Sequence, residues 1–317
     1  MARVAAVDCG TNSIRLLVAD VTEHGDGRRD LVDVHREMRI NRLGKGVDAT
    51  GRFDPAALER TRASLVDYAA RVRDTGAERV RMVATSATRD AANREEFFGM
   101  VRAVLGTDAD VISGDEEARL SFTGAVGDLR PEQGPFVVVD IGGGSTELVP
   151  GDWDGVRATV RAALSVDVGC VRITERHLHG DPPTPDEVAD ARAFATATLA
   201  PAFDAVPVEG ARTWVGVAGT VTTFGAVALQ LPEYDAARTH LSELTREQVD
   251  ATAEQLLATP AAGIAANPVV HPGRVDVLAG GGVVLQVIAA ELAARAGITE
   301  LVVSEHDILD GIALGLA

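Results

Sequence analysis

Val137-Val-Val-Asp140-Ile-Gly142-Gly-Gly-Ser145-Thr-Glu-Leu148 decides how this chain is read. A run of β-branched residues ends on an acid, three glycines and a serine make a tight turn, and a second apolar run follows. Ala5-Ala-Val-Asp8-Cys-Gly10-Thr-Asn-Ser13-Ile-Arg-Leu16 has the same layout. One constant offset lays Asp8 on Asp140, Gly10 on Gly142, Ser13 on Ser145 and Leu16 on Leu148. Turn chemistry accounts for a glycine and a serine in any hairpin. It does not account for an aspartate closing an apolar strand at the same place twice, so the two segments read as copies of one unit.

Outward from the first copy, Val4–Val7 and Arg15–Val21 read as its strands. Pro55–Val72 has helical spacing through Leu58, Leu65, Tyr68 and Val72, with Pro55 suited to a first turn. Val80–Ala84 and Val111–Ile112 read as strands, Asn93–Leu105 and the acid-led Glu116–Ala125 as helices. Around the second copy, Phe136–Ile141 and Thr146–Val149 are the strands. Thr184-Pro-Asp-Glu187 is a capping box opening a helix to about Ala205, and Thr245-Arg-Glu-Gln248 caps another. Trp214–Ala218 and Leu301–Val303 read as strands, Arg274–Arg295 as one or two helices broken at Gly280-Gly-Gly282, and Asp307–Leu316 as a closing helix. Strands alternating with helices predict an α/β protein.

The chain has 317 residues, 30 Lys+Arg against 47 Asp+Glu, and a net charge of −17. With 46% hydrophobic and 24% charged residues it is globular rather than disordered, and at this length two domains are expected. The acidic balance argues against nucleic acid and anionic membranes as partners, and no apolar run approaches the roughly 20 residues of a membrane span. Cys9 and Cys170 are too few for a disulfide framework and fit a cytoplasmic protein with inert thiols. Lys45 is the single lysine, so arginine abundance by itself says nothing about function.

Small residues let backbone N–H groups approach an anion, and hydroxyls add donors. Asp8 and Asp140 offer hard oxygens of the kind that hold Mg²⁺ beside a phosphate, and Glu147, across the second hairpin, can aim at the same ion. A P-loop does not fit, because Arg39 stands where its leading glycine belongs. A Rossmann fingerprint does not fit either, because a strand rather than a helix follows the glycines.

Asp8-Cys-Gly-Thr-Asn-Ser13 and Asp140-Ile-Gly-Gly-Gly-Ser-Thr-Glu147 resemble the paired phosphate loops of the exopolyphosphatase / guanosine pentaphosphate phosphatase family. Arg42-Leu-Gly-Lys-Gly46, Thr85-Ser-Ala-Thr-Arg89, Ile112-Ser-Gly-Asp-Glu-Glu117, Val168-Gly-Cys-Val-Arg-Ile-Thr-Glu175, Gly216-Val-Ala-Gly219 and Arg274-Val-Asp-Val-Leu-Ala-Gly280 follow in the family's order. The resemblance implies two actin-like (ribonuclease H-like) domains with the active site in the cleft between them. Residues 1–123 plus 304–317 would form the first and 124–303 the second. It also implies a homodimer, Mg²⁺, and hydrolysis of the terminal phosphoanhydride of inorganic polyphosphate; guanosine pentaphosphate is the alternative substrate, and guanosine tetraphosphate a possible inhibitor.

By the same resemblance Glu117 is the catalytic base, whereas Glu116 serves the helix dipole. Asp140 and Glu147 are the metal pair, with Asp8 as a water-mediated ligand. Thr11, Asn12, Ser13, Gly143, Gly144, Ser145, Arg89 and Arg274 would bind phosphate, and Arg15 and Lys45 stand open between phosphate contact and structure. Because the whole molecule is acidic, a polyanionic substrate predicts a short basic track in the cleft, which would favour short chains. His177-Leu-His179 reads as a polar loop rather than a metal site, and Gly280-Gly-Gly282 as a place of close helix packing or a kink.

Overall fold

The structure is a computed structural model that describes all 317 residues. Its elements run β1 (Ala2–Cys9), β2 (Ser13–Glu23), β3 (Arg29–Ile40), α1 (Val47–Thr50), α2 (Pro55–Thr75), β4 (Arg79–Ala84), α3 (Ser86–Asp90), α4 (Arg94–Leu105), β5 (Ala109–Val111) and α5 (Gly114–Val126). They continue through β6 (Phe136–Ile141), β7 (Thr146–Trp153), β8 (Ala158–Val160), β9 (Leu164–Val166), α6 (Cys170–His177), α7 (Pro185–Ala205), β10 (Thr213–Val217), α8 (Ala218–Ala228) and α9 (Ala236–Thr239). The last are β11 (Glu243–Thr245), α10 (Arg246–Ala258), α11 (Ala261–Ala265), α12 (Leu278–Ala296), β12 (Glu300–Val303) and α13 (Ile308–Leu314).

Two sheets result, in the orders β3-β2-β1-β4-β5 and β11-β12-β10-β6-β7-β8. From its far end the second repeats the first: an antiparallel hairpin, then a parallel strand beside the hairpin's first strand. The duplication therefore extends from the turns to the topology.

Strand alternation sets where the acids point. In β1 and β2, Ala5, Val7, Ile14 and Leu16 pack on one face with Leu58, Leu65, Tyr68 and Phe97 of α2 and α4. Val4, Ala6, Leu17 and Ala19 pack on the other with Ile308, Leu309 and Ile312 of α13, and Asp8 and Arg15 share that parity. In the second sheet, Phe136, Val138 and Val149 pack with Ala118, Phe122 and Ala125 of α5, and Asp140 and Glu147 point the same way. Helices α5 and α13 cross at bare backbone. A Cβ at Gly124 would lie 1.8 Å from the Asp307 carbonyl oxygen, and one at Gly311 would lie 2.1 Å from that of Leu120.

One element is silent in the sequence, and two expectations need correction. Strand β3 carries no strand signal in the sequence, because its charge-rich, half-exposed residues hide any two-residue period. His177 is not in a loop but ends helix α6, where its ring packs 4.8 Å from Phe194. Helix α12 continues unbroken through Gly280–Gly282, whose missing side chains admit Cys170, Thr220 and Ala253. Its 19 residues, at mean hydropathy 1.4, are also long and apolar enough for a membrane span, but most lie buried in the second core.

Candidate active site

The two turns are closed alike: the Gly10 N–H donates to the Ser13 carbonyl and the Gly142 N–H to the Ser145 carbonyl, each at 3.0 Å. They also meet. A Cβ at Gly143 would lie 3.0 Å from Thr11 Cβ, and one at Gly144 would lie 2.8 Å from Ser86 Oγ and 2.9 Å from Thr11 Oγ1. Glycine is needed here for approach rather than for a positive φ. A cavity of about 620 Å³ opens beside this contact, lined by Thr11, Asn12 and Ser13 from one turn and Gly143, Gly144 and Ser145 from the other.

Glu117 enters the cavity from the first turns of α5, whose start is fixed by Ser113 Oγ accepting the Glu116 N–H. Its carboxylate is buried and accepts 2.8 Å from Arg89 Nη1. Burial raises it to about 7; Arg89 opposes that rise, and the Asp8 charge adds to it. Asp140, at the end of β6, accepts 2.5 Å from Ser121 Oγ. It too is pushed up to about 7, by burial first and then by the charges of Asp307 and Glu117. Glu147 lies directly opposite Asp140 in the β6–β7 ladder, accepts 2.6 Å from Ser165 Oγ, and is raised well above its ordinary value by burial and by Glu117 and Asp140. Facing like charges destabilise a ladder. These buried hard oxygens therefore suit a divalent cation.

The first copy resolves the same problem internally. Opposite Asp8 in the β1–β2 ladder stands Arg15, which donates to Asp8 at 3.0 and 2.7 Å and also to Asp307, the N-cap of α13. Sequence reading missed Asp307, whose one outward sign is an acid placed to cap a helix.

Not every expected residue reaches the cavity. Asp8, Asp140, Glu117 and Arg274 line it, whereas Glu147 and Arg89 do not. Arg89 spends Nη1 on Glu117 and on the Ile112 carbonyl, at 3.0 Å, because a buried carboxylate claims the nearest guanidinium. Lys45 is exposed and outside the cavity. Arg274 lines the cavity with Nη1 on Thr223 Oγ1 at 3.0 Å and on the Gly219 carbonyl, next to Ala218 with its strained φ of 71°.

The expected basic track is absent. Asp8, Glu37, Glu117, Asp140, Glu305 and Asp307 outnumber Arg15, Arg36 and Arg274 in the lining. Arg15 and Arg36 are moreover paired with carboxylates, which leaves Arg274 as the one lining arginine without an acidic partner. Between the lobes, Arg172 of α6 donates to the Gly144 carbonyl at 2.9 Å, to Asp90 at 3.0 Å and to Asp48, so one guanidinium ties a glycine turn to the opposite lobe.

The model of the Ppx/GppA phosphatase family matches residues 17–315. The chain belongs to this family. It is 55% identical to exopolyphosphatase 2 of Mycobacterium tuberculosis, over all of this chain and 99% of that protein. A solved exopolyphosphatase-like protein superposes with a TM-score of 0.94 at 42% identity, covering 100% of this chain and 98% of its own. The Aquifex aeolicus member of the Ppx/GppA family superposes at 0.79 and 31% identity, over 99% and 97% of the two chains. The two sheets are thus those of the family's two-domain actin-like fold.

Proposed function

We propose that this Ppx/GppA phosphatase hydrolyses the terminal phosphoanhydride of short inorganic polyphosphate and releases orthophosphate. The observation that carries the reading is the buried Glu117 carboxylate, raised to about 7 and held by Arg89 at the wall of a cavity where two glycine turns meet. The relative named exopolyphosphatase 2, matched over the full length, supports the substrate class.

Glu117 takes a proton from water as the water oxygen attacks the terminal phosphorus and the bond to the bridging oxygen breaks. Arg89 positions it. The turn residues Thr11, Asn12, Ser13, Gly143, Gly144 and Ser145 offer N–H and hydroxyl donors to the phosphates, and Arg274 offers a guanidinium free of carboxylate competition. Asp140 would hold magnesium directly, Glu147 would deepen the negative field around it, and Asp8, already neutralised by Arg15, would contribute through water. Bound there, the ion supplies the charge neutralisation that an acidic cavity cannot give a polyanion. The cavity's limited volume and its single unpaired arginine favour short chains. The lobes divide as residues 1–123 with 304–317 and residues 124–303, and the boundary falls within α5.

Guanosine pentaphosphate is the second reading, favoured by an apolar wall of Cys170, Val269, Val270, Val277 and Leu278 beside Tyr234, where a base could lie. Phosphate release from both substrates, measured in parallel with magnesium present and after chelation, tests the assignment. Faster release from polyphosphate is expected. Faster release from the nucleotide reverses the order, and release that survives both chelation and Glu117→Gln removes the proposal.

A further inference from the structure

Outside the cavity, three side chains from three distant segments converge. Asp128 follows α5, His240 caps the end of α9, and His306 sits between β12 and α13. Asp128 Oδ2 lies 2.6 Å from His306 Nδ1 and 3.3 Å from His240 Nε2, and the two rings lie 4.6 Å apart between centroids. The three ligand atoms all fall within 4.8 Å of one another. Asp128 is 45% exposed and the imidazoles partly so, which leaves an entry path from solvent. None of the three lines the cavity.

We propose that Asp128, His240 and His306 form a second metal site, specific for a transition ion of the Zn²⁺ class, whose occupation slows the reaction in the neighbouring cavity. Two imidazole nitrogens with one carboxylate oxygen make a borderline-soft donor set that suits Zn²⁺, Co²⁺ or Ni²⁺ and disfavours Mg²⁺. Three protein ligands leave a fourth position for water.

The link to the cavity runs through one hydrogen bond. His240 Nδ1 accepts the Glu305 backbone N–H at 3.2 Å, so in the metal-free protein the ring carries its proton on Nε2, toward Asp128. An ion on Nε2 moves that proton to Nδ1, where it meets the Glu305 N–H donor to donor. Glu305 must then withdraw from His240. Its carboxylate accepts 2.6 Å from Tyr234 Oη, both side chains line the cavity, and Asp307, partner of Arg15, lies two residues on. Binding by the cluster is independent of the proposed hydrolysis; only the inhibition rests on it.

Co²⁺ titration of the full chain in excess Mg²⁺, followed by visible absorption, reads binding directly. One equivalent with a ligand-field band is expected. His240→Gln and His306→Gln, each checked for fold by circular dichroism, should each weaken it by more than about 100-fold, beyond the loss of an outer partner. Co²⁺ binding unchanged in both variants, or abolished by Mg²⁺, overturns the site. Phosphate release is then measured with one equivalent of Zn²⁺. A several-fold fall in the wild-type chain but not in either variant is expected, and an equal fall in all three, or none in a chain shown to bind Co²⁺, overturns the coupling.

Discussion

The two hairpins share one layout, and one of their differences reverses a charge. Each ends its first strand on a buried aspartate, and each turn closes with the same glycine-to-serine bond. In the ladder position facing that aspartate, however, the first hairpin has Arg15 and the second has Glu147. The first is neutral within itself, with Asp307 as a further partner for the arginine. The second carries two acids that burial raises, Glu147 further by the charge of Asp140, with hydroxyls of Ser121 and Ser165 as their hydrogen-bond donors. A duplicated scaffold thus yields one half that holds shape by itself and one half whose charge calls for an ion from outside.

The largest expected effect falls on the carboxylate that Asp8 of the first hairpin raises and that in turn raises Asp140 and Glu147 of the second. Glu117→Gln should lower kcat about 10²–10⁴-fold, the usual worth of a general base, without loss of thermal stability. A fall in stability in step with activity would mark Glu117 as structural. Next, Arg15→Gln leaves Asp8 and Asp307 buried without a cation and should cost about 3–5 kcal/mol in urea unfolding. Glu147→Gln, at the matching position, should instead stabilise the metal-free protein while weakening its affinity for divalent ions. Equal signs for these two variants would erase the contrast. Gly144→Ala drives a methyl group against Ser86 and Thr11 and should cost about 1–3 kcal/mol, with a raised KM for polyphosphate.

The smallest effect is a slope with pH. Glu117 and Asp140 are raised to about 7, so the folded protein holds protons that the unfolded chain has already released. The stability these two groups contribute to the metal-free protein is therefore fully present below the ordinary carboxylate range and is lost as pH rises through about 7. Divalent ions, which favour the charged forms, should raise the melting temperature more at pH 8 than at pH 5. A metal effect independent of pH would place the ion elsewhere.

What could be read from sequence was what lies close along the chain. The hairpins, their turn residues and the acid-led helix read from Glu116 are contiguous, and each carries its own chemistry. Partnerships across the chain were not legible. Arg15 meets Asp307, and Asp128 meets His240 and His306, only because two sheets and a pair of crossing helices bring their ends together. The expected basic track failed for the same reason: arginines can be counted in a sequence, but the acids that claim them cannot. Strand β3 was hidden by charge, and Arg89 turned toward Glu117 rather than toward the open cavity.

The crossing of α5 and α13 at Gly124 and Gly311 has a consequence for when the protein can become active. Helix α5 carries Glu117, and α13 brings the cap that holds Arg15, yet α13 is synthesised only after α5 and both hairpins. On the ribosome, a nascent chain ending before residue 307 has a first sheet with one face bare and an arginine short of a partner. Such a chain has both glycine turns but not the backbone against which α5 is seated, so hydrolysis should begin only once the stretch from 307 to 314 has cleared the exit tunnel.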